Sequence, residues 1–352
     1  MPRRTAKRFT KSEYEILKAM VTSLSYAEVA RKTGFTIPYI SRKVRDLYSR
    51  VYLSAWFDYR AMGLTQVFIE ARYDKKVVEA LAEIQPPYIL SASHMFRGKR
   101  DSLLLYSLLP EPYVDKVVEA MPLEDKEVLV PLIYFRWRPD EAMLTRFAEG
   151  RIVGDVERIP EAYASVRVEE KVSTLRVLPD EIDLAIFSKL LQNPYANLID
   201  VARALGVRQQ VVSYHFLRHV RPLWLFNAVV LDFDPEEMPL KIYWIYTDSA
   251  DSAKALAKAL VQTPYFPTAF VISDDPRRVV AMATLPSHLE LRALRALRSI
   301  DSVEDFEVHA IMESDVILRW TMPSTGLISE GAWIIEPLLR KLEELSSKVA
   351  SR

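Results

Sequence analysis

The sequence predicts an α+β protein that repeats one plan twice: two winged helix-turn-helix units, each followed by a βαββαβ sheet domain. Three observations carry this prediction. Val29-Ala30-Arg31-Lys32-Thr33-Gly34 recurs as Val201-Ala202-Arg203-Ala204-Leu205-Gly206. Each copy precedes a second helix with a serine at the same offset from the glycine, Ser41 and Ser213. An apolar helix, a glycine turn and a polar helix make a helix-turn-helix. Beyond each copy the apolar period changes to alternation and back in the order βαββαβ, the ferredoxin-like split motif.

The elements follow in order. A basic arm leads to a first helix with Tyr14, Ile16, Leu17, Met20 and Val21 on one side, which Ser12 can cap. Ser25 opens a second helix that runs to Lys32, and Gly34 ends it in the left-handed conformation glycine tolerates. Thr36 caps a third helix, with Pro38 in its first turn, where a missing N–H costs little. Ile40, Val44 and Leu47 face inward; Tyr39, Ser41, Arg42 and Arg45 face outward. Residues 51–58 alternate enough for a wing hairpin or a return strand. The first sheet domain reads as strand 64–73, helix 74–84, strands 88–96 and 101–109, helix 111–121 and strand 127–137. Residues 138–178 fit neither unit and read as a helix plus an irregular connector. Helices 180–191, 198–205 and 208–220 and a strand at 225–233 restart the pattern. Strand 240–247, helix 250–261, strands 266–273 and 278–285, helix 288–299 and strand 306–316 complete it. A last amphipathic helix, 331–349, has no counterpart in the first half. The expected domains are 1–62, 63–138, a connector 139–178, then 179–238, 239–318 and a helical extension 319–352.

The formal net charge is zero over 352 residues, but it is unevenly placed. Residues 1–60 hold thirteen Lys and Arg against five Asp and Glu, a net of +8, so the remainder carries −8. A basic terminal module on an acidic body suits phosphate binding. The second head, 179–224, has five against four, a net of only +1. The absence of cysteine excludes disulfides and thiolate chemistry. No apolar run is long enough to span a bilayer, and Met1-Pro2-Arg3-Arg4 leads into no secretory segment. A cytoplasmic protein without a membrane partner is expected.

Four local patterns share an order along the chain. Asp180-Glu181-Ile182-Asp183 opens a helix ahead of Ile186 and Leu190, and Thr36 stands before a recognition helix. Tyr59-Arg60-Ala61-Met62-Gly63-Leu64 makes a small turn before a sheet strand, and Gly98-Lys99-Arg100-Asp101 is followed by Leu103, Leu104 and Leu105. In this the chain resembles the Lrp/AsnC transcription regulators of prokaryotes, as two such subunits fused in tandem, of archaeal type. The resemblance implies a double-stranded DNA partner, an amino-acid-like effector held by Gly98, Arg100 and Asp101, and a homodimer. The second half departs from the pattern: its recognition helix starts at Arg208 rather than at a capping residue, and Asp274-Asp275-Pro276 replaces the glycine loop.

The residues expected on DNA are Tyr39, Ser41, Arg42, Lys43, Arg45 and Arg50 in the first head. Those in the second are Arg208, Gln209, Gln210, Ser213, Tyr214 and Arg218. Arginine reads guanine and glutamine reads adenine from a major-groove helix. Arg3, Arg4, Lys7 and Arg8 suit phosphates. His215 and His219 have metal-ligand spacing, yet no third ligand is legible nearby, so packing or surface histidines are expected, with no metal and no cofactor. No phosphate loop, metalloprotease helix or nucleophile elbow is present, and the chain is expected not to be an enzyme. Two alternatives stand beside the DNA-binding regulator. One is an enzyme of tetrapyrrole decarboxylation, since a few proteins of this double layout are such enzymes. The other is an oligomerising, ligand-sensing body with little DNA affinity. The last helix, with Ile334, Ile335, Leu338, Leu339 and Leu342 at helical spacing, could supply a dimer surface.

Overall fold

The computed structural model describes residues 8–169, 177–323 and 325–351. Arg3, Arg4 and Lys7, expected near phosphates, lie outside them. The first head comprises α1 (Lys11–Val21), α2 (Tyr26–Thr33) and α3 (Ile37–Leu47), followed by β1 (Val51–Phe57). The first sheet region contains β2 (Leu64–Arg72), α4 (Lys75–Ile84), β3 (Ile89–Arg97), β4 (Arg100–Pro110), α5 (Val114–Ala120), β5 (Glu127–Leu129) and β6 (Pro131–Arg136). A hairpin of β7 (Thr145–Ala148) and β8 (Arg151–Gly154) leads to α6 (Ile159–Ser165). The second head is α7 (Glu181–Gln192), α8 (Leu198–Leu205) and α9 (Gln209–His215), then β9 (Trp224–Leu231). β10 (Lys241–Thr247), α10 (Ala250–Leu260), β11 (Thr268–Ile272), β12 (Arg278–Ala283), α11 (Ser287–Arg298) and β13 (Val303–Arg319) follow. A small hairpin, β14 (Ile328–Ser329) and β15 (Ala332–Trp333), precedes α12 (Glu336–Ser351). The α+β class and both βαββαβ units are as expected.

These elements form two compact units, each drawn from three stretches of chain. The first unit contains Met1–Ser54, Pro131–Glu170 and Phe226–Ser314; the second contains Ala55–Val130, Lys171–Leu225 and Asp315–Arg352. Each unit therefore holds one head and the sheet domain of the other half.

In the first unit the strand order is β13-β10-β12-β11-β6, every pair antiparallel. One sheet face, with Tyr243, Ile245, Ala269, Val271, Val279 and Ala281, packs on α10, α11 and α6. Ala253, Ala257 and Ala293 on those helices have no bulk to hold the backbones apart, so Leu256, Leu260 and Leu297 seat fully. Each such leucine contributes about 1.5–3 kcal/mol of burial. The head of this unit is closed by Ile16, Leu17, Val29, Ile40, Val44 and Leu47. Thr10, rather than Ser12, caps α1, because Glu13 three residues on completes a reciprocal capping box. Thr36 sits at the N-cap of α3 but its side chain makes no capping bond. Buried Asn227 on β9 donates to the carbonyls of Met20 (2.7 Å) and Ser23 (2.6 Å), which satisfies the end of α1.

In the second unit the order is β5-β2-β4-β3. Val77, Leu81 and Ile84 of α4, Val67, Ile69, Leu103 and Leu105 of the sheet, Ile186, Phe187 and Leu190 of the second head, and Leu338, Leu342 and Leu345 of α12 share one core. Phe187 meets Phe57 with ring centroids 4.7 Å apart.

Five expectations change. The strand 127–137 breaks: β5 pairs with β2, while β6 pairs with β11 in the other unit. Pro131 has no N–H for a continued ladder, so the chain changes partners there. The connector carries a hairpin, whose Glu149-Gly150 turn has positive φ at both residues (51° and 78°). The recognition helix expected over 208–220 is α-helical only to His215 and continues as a π turn from Phe216 to Val220. The final helix begins at Glu336, after a hairpin that turns at Glu330-Gly331. No local wing hairpin follows either head; β1 and β9 pair with each other. No helix among the described residues is long and apolar enough to cross a membrane.

Candidate functional sites

In the first head, α3 presents Arg42 and Arg45 to solvent, with Ser41 and Tyr39 half-buried beside them. The Arg42 guanidinium lies 5.7 Å from the Tyr39 ring centre, and the Tyr39 hydroxyl is 3.3 Å from Ser12 Oγ. Lys43 and Arg50 point back into the head. Lys43 Nζ donates to Glu13 Oε1 (3.2 Å), and Arg50 makes a two-pronged bond to the same carboxylate (3.0 and 2.9 Å). Arg50 also donates to the Arg8 carbonyl at 2.7 Å. Burial alone would raise the Glu13 pKa, but the bonds from Arg50, the Thr10 amide and Lys43 outweigh it and lower it to about 2. Two of the six cations and readers expected on DNA are thus engaged in holding α1 against α3.

In the second head, Arg208, Gln209, Gln210, Tyr214 and Arg218 are exposed and Ser213 is half-buried. Behind them the fold joins four residues that the sequence keeps in two places. Asp180 and Asp183 cap the start of α7; His215 ends α9 and His219 lies in the π turn. His215 Nδ1 is 3.0 Å from Asp183 Oδ1 and 3.4 Å from Asp180 Oδ2, and His219 Nδ1 is 3.1 Å from Asp183 Oδ2. Spacing alone showed the two histidines but not their partners. The Asp-x-x-Asp start was visible, yet only the packing of α7 on the recognition helix brings it to them.

In the second unit, Gly98 and Lys99 form the tip of the β3–β4 hairpin, with Arg97 opposite Arg100 and Phe96 opposite Asp101. Gly98 takes φ 60°, which the turn requires. Arg97, Lys99 and Arg100 are exposed there, and Arg97 is 3.3 Å from buried Glu70. Behind the tip, His94 is packed between Tyr73 (centroids 4.1 Å) and Phe96 (4.9 Å). Asp101 Oδ1 stands 3.6 Å from His94 Nε2, an electrostatic pair longer than a hydrogen bond. The turn expected to hold an effector, Gly98, Arg100 and Asp101, therefore sets Asp101 beside a histidine with two aromatic neighbours, while Arg97 and Arg100 project from the other face of the hairpin. His94, one of five histidines in the chain, stands in no motif that singles it out in the sequence.

The first unit carries a second stack. The Trp244 and His309 rings lie 3.5 Å apart and nearly parallel (10°), and the Arg278 guanidinium is 4.4 Å from the Trp244 ring centre. Arg278 Nε is 3.7 Å from Asp275, so the departure Asp274-Asp275-Pro276 anchors an arginine where the first half has a glycine turn.

No family model matches the sequence, and no curated protein does. Among solved structures, the siroheme decarboxylase NirDL is similar over 97% of this chain and 100% of its own, at 13% identity and a TM-score of 0.53. The same decarboxylase in complex with an iron-uroporphyrin III analogue matches over 96% and 99%, with 13% identity and a TM-score of 0.47. The expectation that the chain is not an enzyme is corrected by this likeness, because a protein of the same layout from end to end is one. Two helix-turn-helix heads and two ferredoxin-like sheet domains of Lrp-like type, combined in one chain, are thus a fold that this protein shares with siroheme decarboxylase NirDL.

Proposed function

We propose that this chain, read as two Lrp-like halves in tandem, is a carboxyl-lyase that acts on a tetrapyrrole carboxylate. The likeness to siroheme decarboxylase NirDL along both chains carries the reading. Fold does not by itself imply function, so the site must supply chemistry. The β3–β4 hairpin has the required types. Exposed Lys99 at the hairpin tip offers a cation for a substrate carboxylate, and Tyr73 and Phe96 offer flat apolar walls for a macrocycle. When the carbon–carboxyl bond breaks, carbon dioxide leaves and the electron pair stays on carbon. His94 gives that carbon its proton, with Asp101 3.6 Å from its Nε2 on the same face. Solvent then reprotonates the ring. Anaerobic incubation of the full chain with siroheme, followed by mass spectrometry, tests this. Stepwise loss of carbon dioxide is expected, abolished in His94→Ala. Absence of both turnover and any Soret change on adding iron-uroporphyrin overturns it.

One observation favours a second reading, a DNA-binding regulator: Arg42 and Arg45 stand exposed together on α3 of the +8 head. That reading expects duplex affinity with a steep salt dependence. It also expects Arg42→Ala with Arg45→Ala to cost roughly 1–3 kcal/mol per lost base contact.

A further inference from the structure

The two heads solve one structural problem with different chemistry. In each, an acidic residue three positions into the first helix completes a capping box and receives cationic or nitrogen-bearing side chains from the recognition helix and the residues just after it. In the first head these are Lys43 and Arg50, which donate to Glu13 as ion-pair partners. In the second they are His215 and His219 around Asp183, and Asp180 stands where the first head has Thr10. Both histidines are neutral nitrogen donors when deprotonated.

We propose that Asp180, Asp183, His215 and His219 form a binding site for one divalent transition-metal ion, zinc by preference. Among the described residues, one ligand atom from each lies within 4.8 Å of all the others. Zinc bonds of about 2.0–2.1 Å to nitrogen and oxygen set tetrahedral ligand–ligand edges of about 3.3 Å. The spacings to one Asp183 oxygen, Oδ1, from His215 Nδ1 (3.0 Å) and His219 Nδ1 (3.2 Å), and from His215 Nδ1 to Asp180 Oδ2 (3.4 Å), bracket that edge. An N2O2 set of imidazole and carboxylate suits zinc among the first-row ions and disfavours calcium and magnesium, which take oxygen alone. Burial matches a structural site: the Asp183 side chain is 4% exposed and that of His215 13%, while Asp180 and His219 form the rim. A second, independent feature is the π turn at Phe216–Val220, a rare irregularity that recurs at functional sites. It begins directly after His215 and carries His219. Four protein ligands leave no open position, so the ion is a clamp that fixes the recognition helix of the second head to α7. It also withdraws both histidines from any role in reading a partner. The inference is independent of the proposed decarboxylation.

The full chain, stripped of metal by a chelator and dialysed, is titrated with Co(II) and then with Zn(II) in competition. One Co(II) per chain is expected, with the intense visible bands of four-coordinate cobalt, displaced by one Zn(II). In His215→Gln with His219→Gln the bands vanish and affinity falls by more than about a hundredfold, beyond what loss of an outer-shell partner costs. Absence of binding to the wild-type chain, or equal stoichiometry and affinity in the double variant, overturns the proposal. Should the double variant not fold, His219→Gln alone, at the rim, is expected to weaken binding by more than about a hundredfold, above the roughly 10–100-fold cost of an outer-shell partner. Unchanged affinity in that variant overturns it equally.

Discussion

Glu13 shows how much one side chain can organise. It accepts from the Thr10 amide at the start of α1 and from Lys43 and Arg50 on the far side of the head. Its pKa of about 2 lies below the 4.5 of an unperturbed group. A depressed carboxylate contributes stability that is fully present above pH 4.5 and is lost as pH falls towards 2. By linkage this is on the order of 3 kcal/mol. Thermal unfolding of the wild type is therefore expected to lose midpoint steeply between pH 4.5 and 2. In Glu13→Gln the midpoint at neutral pH is lower and that part of the pH slope is flattened. An unchanged slope in the variant would show that other carboxylates carry acid sensitivity. The residue was legible as part of an apolar first helix but its role was not, since Lys43 and Arg50 lie thirty and thirty-seven residues away. For the same reason both cations looked like DNA contacts: helical spacing states which face a residue occupies, not what lies opposite that face.

At the scale of elements, two tight seats give tests of the packing. A Cβ placed on Gly154, at the end of β8, would lie 2.7 Å from both Pro264 Cδ and Thr263 Cβ. Gly154→Ala is expected to destabilise by about 1–3 kcal/mol through overpacking, measured by denaturant unfolding. A smaller change would show that the 263–265 turn can retreat. On α12, Leu338 is fully buried in the core it shares with α4. Leu338→Ala is expected to cost about 2–5 kcal/mol, and an exposed neighbour such as Glu343→Ala less than about 0.5 kcal/mol. Equal effects of the two would detach the helix from the core. α12 had been read as a surface for a second chain, because its leucines have no partner within the repeat. The structure uses Leu338, Leu342 and Leu345 to close the second unit instead.

At the scale of the molecule, the exchange of segments makes each unit depend on both halves of the chain. A fragment of residues 1–138 contains a complete head and a complete sheet domain by sequence. It nevertheless lacks 139–170 and 226–314 of the first unit and 171–225 and 315–352 of the second. That fragment is expected to show no cooperative thermal transition and no native near-ultraviolet circular dichroism, and co-expression with residues 139–352 restores both. Cooperative folding of the fragment alone would show that the exchange is dispensable. The functional tests belong to this scale as well. Siroheme turnover that survives Arg42→Ala with Arg45→Ala but not His94→Ala separates the enzyme reading from the DNA reading in one set of variants.

Periodicity and turn chemistry are local, and they determined what is local: both helix-turn-helix repeats, the order βαββαβ in each half, the glycine ends of α2 and α8, and the uneven charge. These rest on backbone preferences and apolar spacing within some ten residues, which no distant partner overrides here. Tertiary structure decided what depends on partners far along the chain. It split one strand at Pro131 between the two units and gave each head the other half's sheet domain. It also turned Lys43 and Arg50 inward, set His94 beside Asp101, and gathered Asp180 and Asp183 around His215 and His219. A hydrogen bond or ligand set forms between whichever groups packing brings within about 3 Å, and sequence spacing carries no distance once the chain has turned back on itself.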